Sequence, residues 1–137
     1  MTGVIICTHG SSAPELLNSA EMICGKQVNC RTVNFAMGES LDDLEQELRQ
    51  AIASLSGPII GLTDLKGGTP FNILVKLVAS QPDMEIVTGV NIPLLLELFI
   101  NREQVALKEL VKLAVEAGKS GVYHYQEETP SKTDEEF

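Results

Sequence analysis

The chain has 137 residues, 44% of them apolar, and a formal net charge of −9; that is enough apolar material for the full core of one ordinary domain. The acidic balance argues against a nucleic-acid partner, which needs clustered Lys and Arg. No apolar run approaches the ~20 residues of a membrane span, and three cysteines without a signal peptide suggest a reducing cytosol rather than a disulfide scaffold.

Gly3–Thr8 is a short, continuous apolar run with β-branched residues, the pattern of a strand buried on both faces. The Met1–Cys7 stretch is too short and too poor in basic flanks to be a targeting segment. His9-Gly10 ends the strand, and Ser12-Ala13-Pro14-Glu15 reads as a capping box opening a helix that runs to about Gly25. Val28–Phe35 is a second, less apolar strand nearer an edge, followed by a loop at Ala36–Glu39. A helix then starts at Ser40 and ends at Gly57-Pro58, with Leu41, Leu44, Leu48, Ile52 and Leu55 on one face.

Ile59–Thr63 is the third strand, and Asp64-Leu65-Lys66-Gly67-Gly68 turns out of it. Thr69 can cap the next helix, with Pro70 in its first turn, where no N–H is needed. That helix runs to about Ser80. Met84–Thr88 is the fourth strand, ending in Gly89-Val90-Asn91. Ile92–Ile100 is apolar nearly all round, so it is either wholly buried or partly faces a second subunit; the second reading is preferred. Glu103–Ala117 is the last helix, and Gly121–Tyr125 is short and β-prone, a terminal edge strand. Residues 1–125 form one domain. Residues 126–137 are polar and acidic, a disordered tail or the stub of a linker.

Strands that alternate with helices predict an α/β, doubly wound, mostly parallel sheet with helices on both faces. With right-handed crossovers and the order 2-1-3-4, the loops after strands 1 and 3 splay apart into a crevice. His9 and Asp64 then lie side by side in it, and Met37–Ser40 and Asn91–Pro93 form its rim.

A carboxylate that accepts from Nδ1–H fixes the imidazole tautomer and leaves Nε2 free to attack. Asp64 can orient His9 in this way. The helix starts at Gly10–Ser12 and Gly67–Thr69 can offer backbone N–H groups to an anion on Nε2, and hydroxyls of Thr8, Ser11 and Thr69 can add donors. A phosphohistidine suits these parts, and no step requires a nucleotide or other cofactor. Each piece also has a plain structural reading: a satisfied histidine, a tight Gly-Gly turn, an aspartate capping its own turn. Serine hydrolysis fits poorly, because no G-x-S-x-G elbow is present and His124 is the one other histidine. His124 reads as structural. A metal site of Cys7, His9 and Asp64 lacks paired ligand spacing, so no metal is expected. Cys24 and Cys30 read as core or near-surface thiols.

Thr8-His9-Gly10, Asp64-Leu65-Lys66-Gly67-Gly68-Thr69-Pro70-Phe71-Asn72 and Gly89-Val90-Asn91-Ile92-Pro93-Leu94-Leu95-Leu96-Glu97, in that order, resemble the IIA components of the mannose family of the bacterial sugar phosphotransferase system. The resemblance covers about residues 1–125. It implies a sheet whose last strand is antiparallel, and a homodimer that exchanges that strand. It also implies that His9 accepts a phosphoryl group on Nε2 from the phosphocarrier HPr, with Asp64 holding the imidazole. His9 then passes the group to a histidine of a IIB protein or domain, and membrane components couple the transfer to sugar uptake. A sister possibility is the phosphoryl-donor subunit of a phosphotransferase-dependent dihydroxyacetone kinase. A non-catalytic module that holds an anion in the crevice is another. Lys66 departs from the family pattern, which often has a bulky aromatic or apolar residue there, and the acidic tail does not match a IIA core.

Overall fold

The computed structural model describes residues 1–128. The elements are β1 Gly3–His9, α1 Ser12–Cys24, β2 Cys30–Phe35, α2 Leu41–Ala53, β3 Ile59–Thr63, α3 Thr69–Val78, β4 Met84–Thr88, α4 Ile92–Asn101 and α5 Leu107–Ser120. The four strands form one parallel sheet of order β2-β1-β3-β4, as the sequence predicts. Among the described residues, no helix is long and apolar enough to cross a membrane.

Side chains alternate between the faces of a strand, so each buried strand feeds two cores. Val4 and Ile6 of β1, Ile60 and Leu62 of β3 and Val87 of β4 pack on one face with α1, α4 and α5. Ile5, Cys7, Val33, Ile59 and Met84 pack on the other with α2 and α3. Gly61 lets α3 close in: a Cβ there would stand 2.9 Å from Ile86 Cδ1 and 3.3 Å from Leu74 Cδ1. Helices α1 and α3 therefore leave neighbouring strands toward opposite faces, which opens a crevice between the ends of β1 and β3.

Several local expectations change. Ser12 and Glu15 do not form a capping box. Helix α1 begins at Ser12, its N-cap Ser11 makes no side-chain cap bond, and the Ser12 hydroxyl donates to Thr8 Oγ1 at 2.7 Å. Likewise Thr69 is the first helical residue of α3, and Gly68 holds the cap position. Helix α5 starts at Leu107 rather than Glu103, because the amides of Gln104 and Val105 bond the carbonyl of Asn101 in the turn that leaves α4.

Helix α4 owes its all-round apolarity chiefly to burial within this chain. Leu94, Leu95, Leu98 and Phe99 sit in the core with α1 and α5, Leu96 is half-buried, and Ile100 is exposed. Just past its end, the Arg102 guanidinium is buried. It donates to the carbonyls of Thr2 and Asn29, each at 3.2 Å, to Val28 O and to Gln27 Oε1.

The antiparallel terminal strand is not present in this sheet. After Ser120 the chain turns at Gly121, and residues 122–128 have no strand pairing, with Val122, Tyr123, His124 and Tyr125 exposed. Within the described residues no strand pairs with this β-prone run, although β4 is an edge of the sheet. Of the predicted tail at 126–137, residues 126–128 have no regular structure and the rest lie outside the described residues.

Candidate functional site

His9 is the last residue of β1, and Asp64 is the first residue after β3. Their strands are hydrogen-bonded neighbours, paired up to Cys7 and Thr63. That adjacency brings together two side chains 55 residues apart in sequence. Asp64 Oδ2 accepts from the His9 backbone N–H at 3.1 Å and lies 3.0 Å from Nδ1; Oδ1 lies 3.2 Å from the same nitrogen. A carboxylate here can only accept, so Nδ1 carries the proton, and in the neutral ring this tautomer leaves the lone pair on Nε2. Both side chains remain open to solvent, 43% for His9 and 31% for Asp64.

Two further contacts hold the imidazole, and the turn at Gly10 supports one of them. Its ring meets Phe35 edge-on, with centroids 5.8 Å apart. Gly10, at φ +66°, donates its N–H to Phe35 O at 2.8 Å and turns the chain sharply after His9. On the other side the ring lies against Gly68: a Cβ there would stand 2.8 Å from Cε1 and 3.4 Å from Nε2. The backbone of Gly68 is in the ordinary extended region, at φ −72°, so it is the histidine ring, with the Leu65 carbonyl at 3.2 Å, that leaves room only for a glycine. Gly67, at φ +80°, makes the tight turn in which Gly68 N–H bonds Leu65 O, and Asn72 Nδ2 donates to Gly67 O at 3.1 Å.

The helix starts around this ring differ from those of α2 and α4, while α5 also lacks a side-chain cap. Ser40 caps α2 by accepting Asp43 N–H, and Asn91 caps α4 by accepting Leu94 N–H. Neither α1 nor α3 has a side-chain cap. The first-turn amides of both, which no helix ladder can use, are left for an outside acceptor. Gly10, Ser11, Gly67, Gly68 and Thr69 thus sit on the two turns flanking His9. Thr8 does not join them as a donor: it is fully buried and its oxygen accepts from Ser12.

Beside the ring, a cavity of about 370 Å³ is lined by His9, Gly10, Phe35, Ala36, Met37 and Gly38. Met37 and Leu65 are exposed near this end of the sheet, with Lys66 next to Leu65. The rim residues from the β2–α2 loop therefore reach the site. From the loop after β4, Asn91 instead caps α4 and donates to Gly118 O.

Cys7 does not complete a metal site. It is buried on the α2–α3 face, and burial, then the charges of Asp64, Glu39 and Glu47, push its thiol up to about 12. A thiol that stays protonated is a poor ligand. No group of three metal-ligating side chains occurs among the described residues. His124 is exposed, outside any core. The motif reading missed Phe35 and the clamp from Asn72; an aromatic residue ending the strand next to His9 was the available signal for the first.

A family model described as PTS system fructose IIA component matches residues 3–115. The PTS system mannose-specific EIIAB component of Escherichia coli K12 is 38% identical over 122 residues, 87% of this chain; the chain spans 38% of that relative's length. The PTS system fructose-specific EIIA component of Bacillus subtilis is 36% identical over 81% of this chain and 77% of its own. Two solved structures share the fold. A phosphotransferase system component EIIA from Streptococcus agalactiae has a TM-score of 0.84 at 30% identity, covering 90% of this chain and 97% of its own. The mannose/sorbose specific IIA subunit from Enterococcus faecalis has a TM-score of 0.86 at 26% identity, covering 95% and 98%.

Proposed function

The chain belongs to the mannose-type IIA family of the bacterial sugar phosphotransferase system, and from that membership we propose that it is a phosphoryl carrier whose acceptor is Nε2 of His9. One observation carries the reading: Asp64 holds Nδ1–H and leaves Nε2 free beside Gly68, at the uncapped start of α3.

The step balances without a cofactor. Nε2 attacks the phosphorus of phospho-HPr, the P–N bond to the HPr histidine breaks, and that histidine keeps the electron pair. His9 keeps its Nδ1 proton throughout, so Asp64 faces an imidazolium-like ring as charge builds and stabilises it. The incoming phosphoryl oxygens are received by the first-turn amides of α3 and α1 and by the Ser11 and Thr69 hydroxyls. The reverse attack, by a histidine of a IIB protein or domain, removes the group. The exposed apolar side chains of Met37 and Leu65 suit contact with such protein partners, and the phosphoryl flow reaches the membrane only through them.

Relatives with 29–38% identity are named for mannose, fructose and sorbose, so we assign sugar choice to the transporter components. A homodimer that seats residues 121–125 against a partner's sheet would give that β-prone run the pairing it lacks here.

The test is intact mass after incubation with enzyme I, HPr and phosphoenolpyruvate. The wild-type chain is expected to gain one acid-labile phosphoryl group and to lose it to IIB, while His9→Ala gains none. Absence of the adduct on the wild-type chain would falsify the carrier reading.

A further inference from the structure

Asn72 bonds the start of α3 twice. Its backbone N–H donates to Gly68 O at 2.9 Å, and its side-chain Nδ2 donates to Gly67 O at 3.1 Å. A carbonyl only accepts, so the side chain must turn its NH2 group toward Gly67. One residue thus grips the carbonyls on both sides of Gly68.

The first bond is the ordinary helix bond to the cap carbonyl, which any residue but proline would make at 72. The second belongs to the side chain, and it reaches five residues back onto the Gly67–Gly68 peptide. The other edge of that peptide plane is held too, because Gly68 N–H donates to Leu65 O at 3.0 Å. The hold matters because the plane lies between two glycines. Rotating it changes ψ of Gly67 and φ of Gly68, and neither residue has a Cβ to resist. Packing does not fix the plane either: Leu65, Lys66 and Gly67 are exposed, and a Cβ on Gly67 would meet nothing within 4 Å.

What moves with this plane is the wall of the His9 ring. A Cβ on Gly68 would stand 2.8 Å from Cε1 and 3.4 Å from Nε2. We propose that Asn72 is a positioning residue for phosphoryl transfer. By holding the Gly67–Gly68 peptide, it sets how Gly68 and the first-turn amides of α3 approach Nε2 of His9. Its effect on transfer rests on the carrier reading given above, whereas its hold on the turn does not.

The experiment compares the wild-type full chain with Asn72→Ala and with Asn72→Asp, which keeps the shape and loses the donor. NMR at one pH, without phosphoryl donor, comes first. In both variants the Gly67 carbonyl carbon, the Gly68 amide and the His9 Cε1–H signal are expected to move. The ring nitrogens should still place the proton on Nδ1, since Asp64 is untouched. The urea midpoint of Asn72→Ala should stay close to that of wild type, because the helix bond to Gly68 O survives. Rapid-quench uptake from phospho-HPr comes second. In Asn72→Ala the maximal rate should fall on the order of tenfold, with the half-saturating phospho-HPr concentration unchanged. An unmoved His9 Cε1–H signal in both variants overturns the hold on the ring's wall. Moved signals with wild-type uptake, or a loss confined to half-saturation, overturn the positioning role. Absence of uptake by the wild-type chain overturns the carrier reading instead, and the His9 signal still decides whether Asn72 sets that wall.

Discussion

Asp64 holds His9 at two points through one oxygen: Oδ2 accepts the backbone N–H at 3.1 Å and faces Nδ1 of the ring at 3.0 Å. The first contact sets where the residue sits, and the second sets which nitrogen keeps the proton. Asp64→Asn preserves the size of the side chain but removes the charge and lets an amide donate where the ring needs an acceptor. Phosphoryl uptake should fall on the order of a hundred- to ten-thousand-fold. The folded state should lose about 1–2 kcal/mol, because the site is open to water. Rapid-quench phosphorylation and urea unfolding measure the two effects separately.

Gly68→Ala is a direct probe of the packing against the ring. The backbone at φ −72° tolerates alanine, and the conflict is with His9 Cε1 at 2.8 Å. The ring must move off Nδ1–Asp64 alignment or tilt toward Phe35. The expected outcome is a loss of transfer of roughly tenfold or more with unfolding free energy changed by under about 1 kcal/mol. Ring carbon shifts of His9 in the variant should move; if rate and shifts are both unaltered, the close approach has no role.

Arg102 should matter for folding and not for transfer. Its guanidinium is buried and serves carbonyls of residues 2, 28 and 29 together with Gln27 Oε1. Arg102→Ala takes this donor from the buried Thr2 carbonyl, from Val28 O and from Gln27 Oε1, while Asn29 O keeps the Val4 N–H, at a cost of about 1–3 kcal/mol. The urea midpoint should fall accordingly, while phosphoryl uptake per folded molecule stays the same. A midpoint within error of wild type contradicts this role.

One buried and one half-buried thiol make the fold sensitive to alkali. Burial pushes Cys7 up to about 12, and Cys30 up to about 11 against the opposing pull of Arg102. The folded chain therefore binds these protons more tightly than the unfolded one, whose thiols have the ordinary value of 9.0. Their contribution is full below pH 9.0 and is lost as pH rises from there toward the folded values. The slope for each thiol is up to about 1.4 kcal/mol per pH unit. Urea unfolding across that range should show the decline, and Cys7→Ala, less stable at neutral pH, should decline less steeply. Equal slopes in the two chains would mean that Cys7 ionises as readily folded as unfolded.

The sheet order and the meeting of His9 with Asp64 were legible from the chain, since both follow from buried strands with few alternatives for register and crossover. Each strand end carries one polar residue that must face the crevice. Contacts set by close approach were not legible. Ser12 to Glu15 satisfies a capping-box pattern, yet the Ser12 hydroxyl finds Thr8, because the end of β1 lies within 2.7 Å. Nothing local to Gly68 says that an imidazole will lie on it. Arg102 carries no motif: its partners are carbonyls from the chain start and the α1–β2 connection, so its role appears with the tertiary structure. The run at 121–125 has strand composition, but strand formation depends on an edge that composition does not describe.

The most direct measurement is the site of attachment of the phosphoryl group on His9, read by nitrogen–phosphorus coupling in the phosphorylated full chain. The expected result is phosphorus bonded to Nε2, with Nδ1 still carrying a proton held by Asp64. Phosphorus on Nδ1, or on any residue other than His9, contradicts the account.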